Sequence, residues 1–429
     1  MTQFLIILLG VLAVFGLPLF AVIGGITLLL FHSIGQDMGL TMGDTYKIAI
    51  TPGLVALPLF VFTGYMLSET KISSRTIRFF KAIMGWLPGG VAMAALVSMA
   101  LFTSFTGISI VTIVAFGGIL YPLLKERGFS DQFSLGFITS MGPVGVLLPP
   151  CIAVVLYGLI AQVNIRGLYI AGILPVVMSI LILYLFIAIY CIKNKIPRIK
   201  FSFREVLKSM WDARWETPGA LLVLIGIFSG LFSVNEAAAI TVVYFIIVEI
   251  FILKELKLSQ IPKIMEESMV MLGAIFFILG VALSLANYLI FQEIPMQLLS
   301  WVKGSIASQI SFLLILNLLL FVVGMLIDMF TAIVVVVPLI LPIAQYYNIN
   351  PYHLGIIFLM NLEIGYLTPP VGINLFVSAM RFNQPILNVC KSVVPFLIFL
   401  LIALAIVTYF SGLSTWLVEW LNIQKQITL

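Results

Sequence analysis

Long apolar runs recur along this chain and limit what it can fold into. A helix that crosses a bilayer needs about 20 largely apolar residues. Runs of that kind cover residues 3–32, 49–67, 167–192, 217–233, 235–253, 268–290 and 388–412. Charge is too sparse to coat a surface facing water. Only 9% of the 429 residues are charged, against about 25% in an average soluble domain. A soluble enzyme, a disordered chain and a nucleic-acid binder are thereby excluded. The formal charge of +5 reads as basic anchors on cytoplasmic loops rather than a taste for acidic partners. Cys151, Cys191 and Cys390 sit in apolar runs with no metal spacing and no pairing framework, so they read as free thiols. The opening run lacks a basic n-region and a small-residue cleavage site, and reads as a retained first helix.

Four further apolar stretches do not behave as plain spans. Residues 87–125 are interrupted by Thr103-Ser104-Phe105-Thr106-Gly107, and residues 305–346 by Gly324 to Asp328. Residues 132–163 and 352–382 are each interrupted by glycine and a Pro-Pro pair. Basic residues set the orientation. Lys71 to Lys81, Lys193 to Arg214 and Lys254 to Lys263 form three loops that hold most of the 22 Lys and Arg residues. The positive-inside rule puts all three in the cytoplasm. That works if the chain starts inside and if 87–125 and 305–346 are hairpins that return to their own side. Lys125, Arg127, Arg381 and Lys391 then fall inside as well. Lys47, Arg166, Lys303 and Lys425 fall outside, which predicts a cytoplasmic N-terminus and a periplasmic C-terminus.

The two halves echo each other at an offset of about 220 residues, as internal repeats of a transporter would. Gly145-Val-Leu-Leu-Pro149-Pro150 matches Gly365-Tyr-Leu-Thr368-Pro369-Pro370, and Leu120-Tyr-Pro122 matches Ile340-Leu-Pro342. A basic amphipathic segment, 70–84, precedes the first hairpin; 292–304, with only Lys303, precedes the second. The repeats are therefore inverted, and span 217–233 supplies the change of parity. The predicted fold is an all-α polytopic membrane protein with inverted-topology repeats, two re-entrant helical hairpins and two broken helices. Its parts are scaffold and first arm (1–86), first transport half (87–166), scaffold, cytoplasmic loop and second arm (167–304), second transport half (305–385) and a C-terminal helix (386–429).

The broken stretches carry the chemistry. Lipid tolerates no unpaired backbone, so irregular chain at membrane depth must be buried or line a cavity. Pro149 and Pro150 donate no N–H, and Gly142 and Gly145 permit unusual torsions. Breaks are expected at 142–150 and 362–370. Freed carbonyls and nearby hydroxyls, with little formal charge, suit a hard monovalent cation. Soft metals want thiolate or imidazole, and Ca²⁺ recruits carboxylates. Na⁺ is the favoured ion, and freed helix N-termini can receive an anion.

These residues resemble the large membrane subunit of the tripartite ATP-independent periplasmic (TRAP) transporters. The strongest stretch runs from Gly324-Met-Leu-Ile-Asp328 through Val337-Pro338 to Pro342, Asn350-Pro351 and His353-Leu-Gly355. It ends on Asn361-Leu-Glu-Ile-Gly365-Tyr-Leu-Thr368-Pro369-Pro370-Val-Gly372-Ile-Asn374-Leu-Phe376. Thr103 to Ser109, Gly145 to Pro150 and Asn235-Glu236-Ala-Ala-Ala239 extend it over nearly the whole chain. The resemblance implies an elevator carrier in a bacterial inner membrane, driven by Na⁺. It works with a small four-helix membrane subunit and a periplasmic binding protein that delivers an organic anion, with a lean to the sialic acid type. One Na⁺ would be held near Thr103, Thr106, Gly145, Leu148 and Pro150. A second would sit near Gly324, Gly365, Thr368 and Pro370, with Met325 and Gly372 adjacent. The substrate would lie near Ser104, Gly107, Asp328 and Asn374. Phe105 and Ile108 depart from the family's serine-rich first tip.

Single residues fill in the picture. Asp328 is an ionisable group in an apolar run, where a functional role is the default and a cap at the hairpin turn the alternative. Glu236 opens a span, where it serves either the helix dipole or a conformational change. Glu363 adjoins the second break. His32 and His353 read as interfacial. Arg166 and Lys47 are candidate outer contacts for a binding protein. The runner-up function is a self-sufficient ion-coupled carboxylate carrier that needs no binding protein. No nucleophile-base motif or metal motif points to an enzyme, and the partners are lipid and small organic anion rather than nucleic acid.

Overall fold

The computed structural model describes residues 2–306 and 308–423, and every secondary-structure element among them is helical. Lys425 lies outside the described residues. Among the described residues, seven helices are long and apolar enough to cross a membrane. The first hairpin pairs Gly90–Thr106 with Ser109–Glu126, and the second pairs Gln309–Leu326 with Met329–Tyr346. The arm helices Ile72–Met84 and Ile294–Ser305 precede them.

Each half then has a helix that stops in mid-course. Asp131–Met141 tightens to a 3₁₀ turn over Gly142–Gly145, and the chain resumes as helix at Ile152–Ala161. Pro351–Gly365 stops before a turn and resumes at Ile373–Phe382. The Pro149–Pro150 and Pro369–Pro370 bonds are both cis. The second break starts four residues later than the sequence reading had it, because Leu362 to Gly365 stay helical. Proline forbids helix mainly at the residue before it, so its reach upstream is short.

Contacts between the halves establish the inversion. Lys125 at the base of the first hairpin pairs with Asp131 at 2.8 Å, so the first broken helix begins at that base. It ends at the base of the second hairpin, where the Tyr157 hydroxyl donates to the Pro351 carbonyl at 3.2 Å. The second broken helix makes the reverse journey. It starts at Pro351 and ends with Phe382 against Tyr121, ring centroids 5.1 Å apart. The two bases therefore lie at opposite ends of the molecule. The three basic loops gather at the first-hairpin end. Arg78 reaches Glu205 at 2.8 Å, Ile199 N–H donates to the Gly85 carbonyl at 3.0 Å, and Arg75 pairs with Glu255.

Helices meet closely through small residues, as expected where lipid supplies no hydrophobic drive between them. A β-carbon on Gly136 would stand 1.9 Å from the Ser392 carbonyl oxygen. Beside it Phe133, Phe186 and Phe396 pack edge to face, with centroids 5.1–5.3 Å apart for Phe396 and its two neighbours.

Three expectations are corrected. The run 3–32 is not one helix. It forms Thr2–Val14 and Leu19–Ser33, parted at Gly16 (φ +96°) and Pro18. A β-carbon on Gly25 would stand 2.9 Å from the Leu9 side chain, so the two fold back as a hairpin. The run 49–67 is likewise divided by a 3₁₀ turn at Pro52–Val55. His353 is not interfacial: it is 3% exposed, with Nε2 3.1 Å from the Thr408 carbonyl and Nδ1 3.3 Å from Ser414 Oγ.

Candidate functional site

Helix C-termini meet at one glycine crossing in each half. The end of the first hairpin arm lies along Gly142–Ile152. A β-carbon on Gly145 would stand 2.0 Å from the Ala100 carbonyl oxygen, one on Gly142 3.0 Å from that of Ser109, and one on Gly107 3.0 Å from Ile152. Gly107 turns the tip at φ +68°, its N–H donating to the Thr103 carbonyl at 2.7 Å. The Thr103 hydroxyl bonds that of Thr112 at 2.7 Å. The Thr106 hydroxyl has only long contacts, 3.4 Å to the Thr103 carbonyl and 3.3 Å to that of Ile108. The Gly145 and Leu148 carbonyls each accept one N–H, from Leu148 and Cys151 at 3.0 Å. Each keeps a second lone pair. Pro150 is buried beside them.

The second crossing is built the same way and is more open. A β-carbon on Gly365 would stand 2.5 Å from the Gly324 carbonyl carbon and 2.9 Å from Met325 N. The Thr368 N–H donates to the Gly365 carbonyl at 2.9 Å, and a β-carbon on Gly372 would stand 2.8 Å from the Thr368 oxygen. Thr368 is half-buried and Pro370 exposed. Both donor sets hold only carbonyl and hydroxyl oxygens at the negative ends of helices, which suits a hard, weakly charged cation.

Between the hairpin tips lies a cavity of about 650 Å³. Gly107 and Asp328 line it, as do Ser109, Glu363, Tyr366 and the 271–278 face of helix Ile261–Phe291. Asp328 is the N-cap of Met329–Tyr346. Its Oδ1 accepts the Thr331 N–H at 3.0 Å and its other oxygen accepts the Thr331 hydroxyl. Helices Ser109–Glu126 and Ile373–Phe382 begin at this cavity with no side-chain cap. Asn374 ties their starts together, its Oδ1 accepting from the Ser109 hydroxyl at 3.0 Å while its amide nitrogen has no partner. Ser104 is not brought in. It lines a second cavity, against the first arm helix and Glu216–Ser229, and its hydroxyl donates to Leu101 at 2.7 Å.

The sequence reading assigned no site role to Glu363, Tyr366 or the 271–278 helix face. Glu363 is 3% exposed with no hydrogen-bond partner for either carboxyl oxygen, and its place beside Gly365 was the available signal. The Tyr366 hydroxyl accepts the Met329 N–H and so joins the second break to the second tip. Nothing local marked Met271 to Ile278. Glu236 closes a capping box with Ser233. Arg166 is engaged inside the chain, donating to the Phe228 carbonyl, and Lys47 pairs with Asp44 at 2.8 Å.

Oppositely based hairpins and two broken helices, meeting at a cavity between the tips, are the architecture of a secondary membrane transporter. The family model described as "Tripartite ATP-independent periplasmic transporter, DctM component" matches residues 4–413, and the chain belongs to that family. It is 35% identical over 370 residues to the C4-dicarboxylate TRAP transporter large permease protein DctM of Pseudomonas aeruginosa, covering 86% of this chain and 87% of that one. It is 29% identical to the ectoine TRAP permease TeaC of Halomonas elongata, covering 91% of each. It is 31% identical to the sialic acid TRAP permease SiaT of Haemophilus influenzae, covering 84% of this chain and 59% of that one. Among solved structures, the YdaH transporter of Alcanivorax borkumensis superposes with a TM-score of 0.59 at 16% identity, over 89% of this chain and 87% of that one, which speaks to the fold. The three relatives above are named as permeases; this chain is a transporter and not an enzyme.

Proposed function

We propose that this chain carries an organic anion inward with Na⁺ by an elevator movement, receiving it from a periplasmic binding protein and working beside a small four-helix subunit. One observation carries the reading: two uncapped helix N-termini open on the inter-tip cavity, while helix C-termini cross at glycines on either side of it. The first arrangement stabilises a carboxylate and the second a cation. Na⁺ would be held at Thr103, Thr106, Gly145, Leu148 and Pro150, and at Gly324, Gly365, Thr368 and Pro370. The anion would sit by Gly107, Asp328 and Asn374. Arm helices, the cytoplasmic loop and the terminal helices form the scaffold in this reading, and the hairpins with the broken helices form the moving part.

With the basic loops inside, the bacterial inner membrane is the setting and the C-terminal helix ends outside. In this reading the opening hairpin, packed with Phe31 on Tyr288 at 5.3 Å, starts and finishes at the outer face, which replaces the cytoplasmic N-terminus expected of 3–32 as one span. Relatives named for C4-dicarboxylates, ectoine and sialic acid stand at about equal distance, so their names do not choose a cargo. The test is reconstitution with and without the small subunit and binding protein, under an imposed Na⁺ gradient. Uptake that needs all three and stops when the gradient is collapsed supports the proposal. Full uptake by the large subunit alone favours a self-sufficient carrier.

A further inference from the structure

We propose that the inter-tip cavity selects a monocarboxylate with an apolar body and discriminates against dicarboxylates. The inference rests on the reading of that cavity as the substrate site. Among the described residues, the only ionisable side chains on its wall are Asp328, Glu363 and Tyr366; no Lys, Arg or His lines it. The remaining wall is largely apolar, with Met271, Ile275 and Ile278 on one side and Ile108, Phe330 and Ile373 on the others. Among the described residues, one corner of the wall stabilises an anion: the uncapped starts of Ser109–Glu126 and Ile373–Phe382, which reach it at Ser109 and Ile373. Behind that corner Asn374 joins the two starts, its buried amide nitrogen without a partner.

One carboxylate satisfies that corner. A second, at the far end of a diacid, would have to lie against hydrocarbon or against the carboxyl groups of Asp328 and Glu363. An unpaired buried charge is strongly disfavoured, and a like charge more so. Whether a carboxyl group there is charged or neutral, it supplies no positive charge. Cations at the two glycine crossings lie outside this wall, since Thr103, Gly145, Gly324 and Gly365 are not among its residues. They favour anions of either kind and leave the choice to the wall.

The test compares matched probes on the purified membrane complex in Na⁺ buffer by calorimetry. Succinate is set against 4-methylpentanoate, in which an isopropyl group replaces one carboxyl, and against the zwitterion 4-aminobutanoate. The expected result is 4-methylpentanoate binding at least about tenfold tighter than succinate. Succinate binding tighter overturns the proposal, and so does 4-aminobutanoate binding tighter than both. Ile278→Lys, which puts a cation on the wall, is expected to raise succinate affinity by about tenfold; no change in affinity overturns the proposal. Should no probe bind while Na⁺ still raises the melting temperature, the selectivity fails and the ion reading stands. Should Na⁺ have no effect either, the transport reading beneath it fails too.

Discussion

Gly365 and Gly324 touch backbone to backbone, with 2.5 Å between the place of a Gly365 β-carbon and the Gly324 carbonyl carbon. Both residues stand near helix C-termini, so the contact brings two negative dipole ends together. A methyl group there meets backbone rather than a side chain that can swing aside. Gly365→Ala should force the helices apart and cost about 3 kcal/mol. It should also abolish the rise in melting temperature on adding Na⁺. Gly273→Ala is the control. It lies in the interior of Ile261–Phe291 with nothing within 4 Å, and should leave the Na⁺ response intact and stability unchanged or raised by under about 1 kcal/mol.

Gly145 makes the matching contact in the first half, 2.0 Å from the Ala100 oxygen. If each crossing holds its own cation, Gly145→Ala and Gly365→Ala should each remove one. The Hill slope of Na⁺-dependent uptake would then fall toward 1 in whichever variant retains transport. An unchanged slope in both would mean that the crossings serve packing alone.

Asp328 has two separable roles to test. As N-cap it satisfies the Thr331 N–H at 3.0 Å, and serine caps equally well. Asp328→Ser should keep the melting temperature near that of the parent, while Asp328→Ala loses about 1 kcal/mol. If the carboxylate also shapes the cargo site, both variants should change substrate selectivity alike. Selectivity that tracks the cap and not the charge would reduce Asp328 to a helix start.

Much of this was legible in the chain because glycine and proline leave marks that side-chain chemistry does not. Pro149-Pro150 and Pro369-Pro370 fix where helices must stop, and the charge map fixes which hairpin enters from which end. The split of 3–32 was harder to see. The run is apolar on all faces and gives no period, and only Gly16 and Pro18 hinted at the turn. The close helix crossings were legible where backbone makes them, at Gly145 and Gly365. The cavity was not legible where its wall comes from a distant helix. Met271 and Ile278 look like any lipid-facing residues until the fold brings them to Asp328. Ser104 misled for a related reason: on a helix, one step in sequence is a rotation of about 100°, so a residue beside the tip can face away from it.

Arg75 anchors the first arm helix at the basic end of the molecule. It pairs with Glu216 and Glu255, whose side chains are 7% and 15% exposed, and Glu255 also accepts the Lys71 N–H at 2.8 Å. Arg75→Ala would strand both carboxylates with the unpartnered, fully buried Glu249, a loss of about 3–5 kcal/mol. Arg78→Ala, whose partners Glu205 and Asp212 are 45% and 35% exposed, should cost under about 1 kcal/mol. The pH response follows from Glu255. Desolvation pushes its carboxyl up, but Arg75 and the Lys71 N–H outweigh this and hold it below the usual carboxylate range. A depressed carboxylate lends its stability above the unfolded value, about 4.3, and loses it as pH falls through the folded one. Between pH 7 and pH 5 the melting temperature should therefore be insensitive to this group. Below about pH 4.3 it should fall more steeply in the parent than in Glu255→Gln, and parallel curves would show that the pair contributes nothing to docking the arm.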